Sequence, residues 1–91
     1  MKKSVRLYIT GTVQGVFFRD FIKESADALG LKGYARNLED GRVELRFEGA
    51  GKKVEEMTEI CRKGPKHASI RRVDVIDETF QGFEDFKILH I

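Results

Sequence analysis

Nine residues, Gly11-Thr12-Val13-Gln14-Gly15-Val16-Phe17-Phe18-Arg19, join an alternating strand pattern to a helical stripe. The first N–H groups of a helix have no helical carbonyl to bond, and the helix dipole favours an anion beside them. A glycine at position 15, flanked by Gln14 and Val16, lets successive N–H groups converge into a small concavity. Arg19 arrives as the helix begins. A guanidinium grips two phosphate oxygens at once and keeps its charge when partly buried. Loop and arginine together make a cradle for a small tetrahedral dianion. The plainer reading also stands: glycines in such a junction serve the turn, and a surface arginine is solvated. The segment is not a Walker loop, which ends in Gly-Lys-Ser/Thr, nor a GxGxxG dinucleotide fingerprint, since no third glycine follows Gly11 and Gly15.

A second stretch, Gly33-Tyr34-Ala35-Arg36-Asn37-Leu38-Glu39-Asp40-Gly41, contains the chain's sole asparagine. A carboxamide accepts from a water and donates to a phosphate oxygen, so Asn37 can hold both in line. On its position alone, Asn37 reads first as the start of the turn before Asp40-Gly41.

These residues need elements to position them. Val5, Leu7 and Ile9 alternate with polar neighbours and predict a strand. Phe18, Phe21, Ile22, Ser25, Ala26 and Leu29 form a helical stripe, with Gly30 at the C-terminal cap. Residues 31–38 predict a second strand, Glu39-Asp40-Gly41 a turn, and Val43, Leu45 and Phe47 a third strand folded back as a hairpin. A second helix is expected over 52–63, with Val54, Met57, Ile60 and Cys61 on one face, Glu55 and Glu56 in its first turn, and Gly64-Pro65 ending it. Ile70, Val73 and Val75 suggest a fourth strand, with the alternation imperfect at Ile76. Phe86, Ile88 and His90 suggest a short last one. The expected fold class is α+β: a ferredoxin-like βαββαβ sandwich, an antiparallel sheet with two helices on one face, as a single domain over residues 1–91.

Composition narrows the function classes. The chain has 91 residues, 41% hydrophobic and 35% charged, which suits one compact core. No run approaches the roughly 20 apolar residues of a membrane span. Met1-Lys2-Lys3-Ser4 is not followed by the apolar run of a signal peptide. One cysteine, Cys61, cannot form an internal disulfide, so a cytoplasmic protein is expected. One Cys and two His do not furnish a zinc site of the usual type, and no cofactor or metal is expected. Lys and Arg total 17 against 15 Asp and Glu, interleaved, which is not the basic stripe of a nucleic-acid binder. Asp20 is expected to face solvent. Phe17 and Phe18 read as core and loop packing rather than as surfaces for substrate stacking. His67 and His90 receive no role, and Cys61 reads as a small apolar residue.

Together, Gly11-x-Val13-Gln14-Gly15-Val16-x-Phe18-Arg19 and Gly33-Tyr34-Ala35-x-Asn37-x-x-Asp40-Gly41-x-Val43 resemble the two signature stretches of the acylphosphatase family. Gly64-Pro65 and Ala68 extend the likeness over essentially the whole chain. The sequence departs from the family at Tyr34, where Trp is common, at Lys66, where a second proline is frequent, and at Ile70, where valine is frequent. The resemblance implies hydrolysis of acyl phosphates to a carboxylate and inorganic phosphate. It implies that the main-chain amides of Gln14, Gly15, Val16, Phe17, Phe18 and Arg19, with the Arg19 guanidinium, bind the phosphoryl group. It also implies that Asn37 positions the attacking water. The expected partner is a small-molecule acyl phosphate, not nucleic acid or membrane, and the expected state is a free-standing monomer.

Two other readings use different residues. Arg6, Tyr8 and Arg46 on an open sheet face suggest single-stranded RNA, although the third strand lacks the aromatic series of RNA-recognition domains. A carrier or regulatory domain would keep the cradle without turnover.

Overall fold

The computed structural model describes residues 1–89. The elements run β1 (Lys2–Thr12), α1 (Val16–Ala28), β2 (Lys32–Asn37), β3 (Val43–Ala50), α2 (Gly51–Lys63), β4 (Ser69–Asp77) and β5 (Phe86–Leu89). They form one five-stranded sheet in the order β4-β1-β3-β2-β5. Both helices lie over the face that carries Val5, Leu7 and Ile9 of β1 with Val43, Leu45 and Phe47 of β3. Phe18, Ile22 and Ala26 of α1 and Val54, Met57 and Cys61 of α2 complete a single buried cluster. Each buried aliphatic or aromatic side chain in such a cluster contributes on the order of 2 kcal/mol. The Cys61 thiol is fully enclosed, and burial pushes its pKa up to about 12.

The expected ferredoxin-like βαββαβ plan is borne out, and the expectation of an antiparallel sheet is corrected at one place. β1–β3, β1–β4 and β2–β3 are antiparallel, whereas β5 pairs parallel to β2. Geometry dictates this. β4 ends at the sheet edge opposite β2, and the connection over 78–85 carries the chain along the same end of the sheet. β5 must therefore run back in the direction of β2. Two smaller corrections concern α2 and β4. α2 starts at Gly51, so its first turn holds Lys52 and Lys53 and no acidic residue. β4 carries a bulge where its register to β1 shifts between Thr10 and Gly11, whereas at Ile76 the pairing, to Arg6, is regular. His90 lies outside the described residues.

The other sheet face is polar and closed. Glu44, 2% exposed, accepts from Arg6 Nη1 at 2.7 Å, from Tyr8 Oη at 3.2 Å and from Arg36 Nε. Arg46 donates to Ser4 Oγ at 3.1 Å and to the Thr79 carbonyl at 3.2 Å. The side chains that suggested an RNA platform are thus committed to carboxylates and carbonyls within the protein. Glu48, 1% exposed, accepts from the main-chain amides of Gln81 (2.9 Å), Gly82 (2.6 Å) and Phe83 (2.8 Å), and from Ser4 Oγ (3.1 Å). One carboxylate thereby fixes the crossing connection to the sheet.

Burial opposes ionisation of Glu48. The Gln81, Phe83 and Gly82 amides and the Ser4 hydroxyl outweigh it and hold the carboxyl below the usual carboxylate range. A depressed folded-state value means that the stabilisation is present above the unfolded value, roughly pH 4.3. It is lost as pH falls through the folded value below that. Glu48→Ala is expected to cost about 3 kcal/mol, since it leaves three amides without their charged acceptor. Urea unfolding should also show a shallower acid dependence below roughly pH 4.3 than in the parent chain. An unchanged acid dependence would show that Glu48 is not the group responsible.

Candidate active site

The junction between β1 and α1 sits at one end of the sheet. Gly11 makes it possible for β1 to run close to β4 there: a Cβ at Gly11 would lie 1.9 Å from the Ser69 carbonyl oxygen. Thr12 is the last β1 residue paired to β4, opposite Ser69. Val13 is buried and anchors the chain as it turns. Gly15 is the N-cap of α1, with φ 111° and ψ 169°, a conformation that L side chains rarely adopt. Gly15 has no side chain with which to cap this helix start. The amides of Val16, Phe17 and Phe18 precede the first helical carbonyl bond, which runs from Arg19 N–H to the Gly15 carbonyl at 3.3 Å. The Arg19 side chain folds back over the same point, its Nε donating to the Gly15 carbonyl at 3.4 Å. The guanidinium is thus held at the positive end of the helix.

Asn37 ends β2, opposite Val43 of β3. The hairpin loop that follows is longer than a two-residue turn. Leu38 N–H donates to the Arg42 carbonyl at 2.8 Å and Gly41 N–H to the Leu38 carbonyl at 3.1 Å. Asp40 accepts from Arg42 N–H at 3.0 Å and Arg42 Nε at 2.8 Å. The main-chain N–H and the guanidinium of Arg42 hold the Asp40 carboxyl below the usual range. Asn37 therefore does not start the turn with its own side chain. Its Oδ1 is buried, and no donor among the described residues reaches it.

Gln14 joins the two parts. Its side-chain amide Nε2 donates to the Leu38 carbonyl at 3.0 Å and to the Arg42 carbonyl at 3.3 Å. The loop from β1 is thereby tied to the hairpin immediately after Asn37. Sequence reasoning valued Gln14 for its main-chain N–H and missed this use of its side chain. A polar residue in a loop gives no sign of which distant carbonyl it will meet.

Phe18 is buried in the core as a packing residue, but Phe17 is 58% exposed, so its reading as a packing side chain is corrected. Phe17 follows Val16 in the first turn of α1, where the face toward the sheet is taken by Phe18 and Ile22. Asp20 is exposed, as expected. Among the described residues, no three of His, Cys, Asp and Glu are gathered as a metal site would require. Among the same residues, no helix is long and apolar enough to cross a membrane.

Comparison with known proteins gives the family. The family profile described as Acylphosphatase matches residues 5–88. A relative from Syntrophus aciditrophicus, named acylphosphatase, is 45% identical over 91 residues, covering 99% of this chain and 95% of its own. The crystal structure of an acylphosphatase from Bacillus subtilis superposes with a TM-score of 0.92 at 31% identity, covering 99% of this chain and all of that one. Full-length HypF, solved in a phosphate- and nucleotide-bound form, contains a similar region: TM-score 0.87 at 26% identity over 99% of this chain, but 12% of HypF. A loop–helix junction bearing Arg19, tied by Gln14 to the strand end bearing Asn37, thus lies in a chain that belongs to the acylphosphatase family and hydrolyses acyl phosphates.

Proposed function

We propose that hydrolysis proceeds by in-line attack of water on phosphorus. The phosphoryl group lies in a cradle of the main-chain amides of Gln14, Gly15, Val16, Phe17 and Phe18, closed by the Arg19 guanidinium; the Arg19 main-chain amide, counted with them from the sequence, is instead bonded to the Gly15 carbonyl. The observation that carries this reading is the pair of Gln14 bonds, which join that loop to the hairpin beside Asn37. The buried, unpartnered Oδ1 of Asn37 is an acceptor suited to a water O–H.

The chemistry asks little more of the protein. The leaving carboxylate is weakly basic and departs without a strong general acid. Phosphoryl transfer then rests on position and on stabilising charge over the equatorial oxygens. Arg19 and the amides answer that charge, and Asn37 fixes the nucleophile. The attacking water forms the new P–O bond as the bond to the acyl oxygen breaks. A phosphoryl oxygen of the substrate accepts the water proton late in the reaction. No metal ion is needed for these steps.

We also infer that residues 1–91 act as one domain, monomeric and cytoplasmic. One continuous buried cluster supports the single domain, and a single enclosed free thiol supports the reducing compartment. Hydrolysis in ¹⁸O-labelled water containing a chelator tests the mechanism. Turnover is expected to continue, with one labelled oxygen in the phosphate. Label in the carboxylate would mean attack at the carbonyl carbon. Turnover lost in chelator and restored by a divalent ion would overturn the metal-free route.

A further inference from the structure

Phe17 is the unexplained residue of the site. Among the described residues, the large apolar side chains that stand exposed are Met1, Phe17, Val75, Ile76 and Phe80, and of these Phe17 alone belongs to the β1–α1 junction. Its ring meets that of His67, with centroids 5.9 Å apart and planes at 57°. His67 is itself exposed, two residues before β4 begins. An aromatic surface left open beside a binding loop has area to bury against a ligand.

The topology says which part of the substrate would meet it. In-line displacement sets the attacking and leaving oxygens on opposite sides of phosphorus. In the sheet, β3 and β4 flank β1 on opposite sides. Gln14 reaches Leu38 and Arg42, so Asn37 and its water belong to the β3–β2 flank. Thr12 pairs with Ser69, and Phe17 meets His67, so these rings belong to the β4 flank. A water delivered from the Asn37 side expels the carboxylate toward Phe17.

We propose that Phe17, braced by His67, is the platform for the acyl group, and that it selects acyl phosphates whose acyl part is aromatic or bulky and apolar. The inference rests on the preceding reading of the cradle and of Asn37. The phosphoryl contacts are the same for every substrate, so the platform acts on selectivity: it distinguishes acyl groups that reach the ring from those that end short of it.

The test compares kcat/KM for benzoyl phosphate and acetyl phosphate in the parent chain, Phe17→Ala, Phe17→Leu and His67→Ala. The benzoyl-to-acetyl ratio is expected to fall about 3- to 10-fold in Phe17→Ala, the scale of one lost aromatic contact. It should fall less in Phe17→Leu, which keeps apolar bulk, and about 2-fold in His67→Ala, which removes only the brace. A ratio that stays at the parent value in both Phe17 variants overturns the proposal, whatever the absolute rates. The Arg19 and Asn37 variants discussed below separate the causes. If they lose turnover while the ratio stays fixed, only the platform is wrong. If they retain turnover, the reading of the site is wrong and the platform falls with it.

Discussion

Arg19→Ala is expected to lower acyl phosphate turnover by about 100- to 1,000-fold or more, the usual cost of one well-aimed transition-state donor. It should also weaken competitive inhibition by inorganic phosphate. Both effects follow from one arrangement. The Arg19 side chain is anchored through Nε to the Gly15 carbonyl, at the point where the helix dipole is most positive. A charge held there meets a bound dianion with little reorganisation. Arg19→Lys restores the charge but not the planar fork, so it should recover more phosphate binding than turnover. Steady-state kinetics with phosphate as inhibitor checks both statements. Near-normal turnover in the alanine variant would remove Arg19 from the chemistry.

Asn37→Ala is expected to produce a different pattern. Turnover should again fall about 100- to 1,000-fold, since an unpositioned water gives up most of the orientational advantage. Inhibition by phosphate should change little, because the amide cradle and Arg19 remain. Stability provides a further distinction. The Oδ1 of Asn37 is buried without a donor among the described residues, so removing it breaks no hydrogen bond within the protein. The variant should therefore unfold in urea at the parent midpoint or slightly above it. A residue kept at the expense of stability is what function demands at such a position. Near-normal turnover would end the water-positioning role. A loss of phosphate affinity as large as the loss of turnover would move Asn37 into the cradle.

The sequence was most legible where one face of an element is buried. Val5, Leu7 and Ile9, and Val43, Leu45 and Phe47, alternate strictly, and each set lies against the helices. The same alternation sends Glu44, Arg46 and Glu48 to the opposite face, and there periodicity misleads. It suggests solvent, whereas these side chains are buried under Arg6, Arg36 and the connection at 78–85. Pairings that depend on distant residues carry no local signal. The parallel placement of β5 follows from where β4 ends. The Gln14 bonds follow from which carbonyls the hairpin turns outward. In the site, the glycines and Arg19 could be read from type and spacing, since backbone freedom and charge are properties of single residues. The exposure of Phe17 could not, because an aromatic beside a core aromatic has the same local appearance whether it packs or not.

The two Gln14 bonds carry a consequence for how activity is acquired. They span 24 and 28 positions of chain, so neither exists until β1 has found β3 and β3 has closed on β2. A partly assembled chain with α1 already formed would possess an anion-attracting helix end and no means of aiming a nucleophile at what it held. On the proposed mechanism, the return of hydrolysis during refolding is expected to report completion of the central strands rather than formation of the helix that bears the arginine.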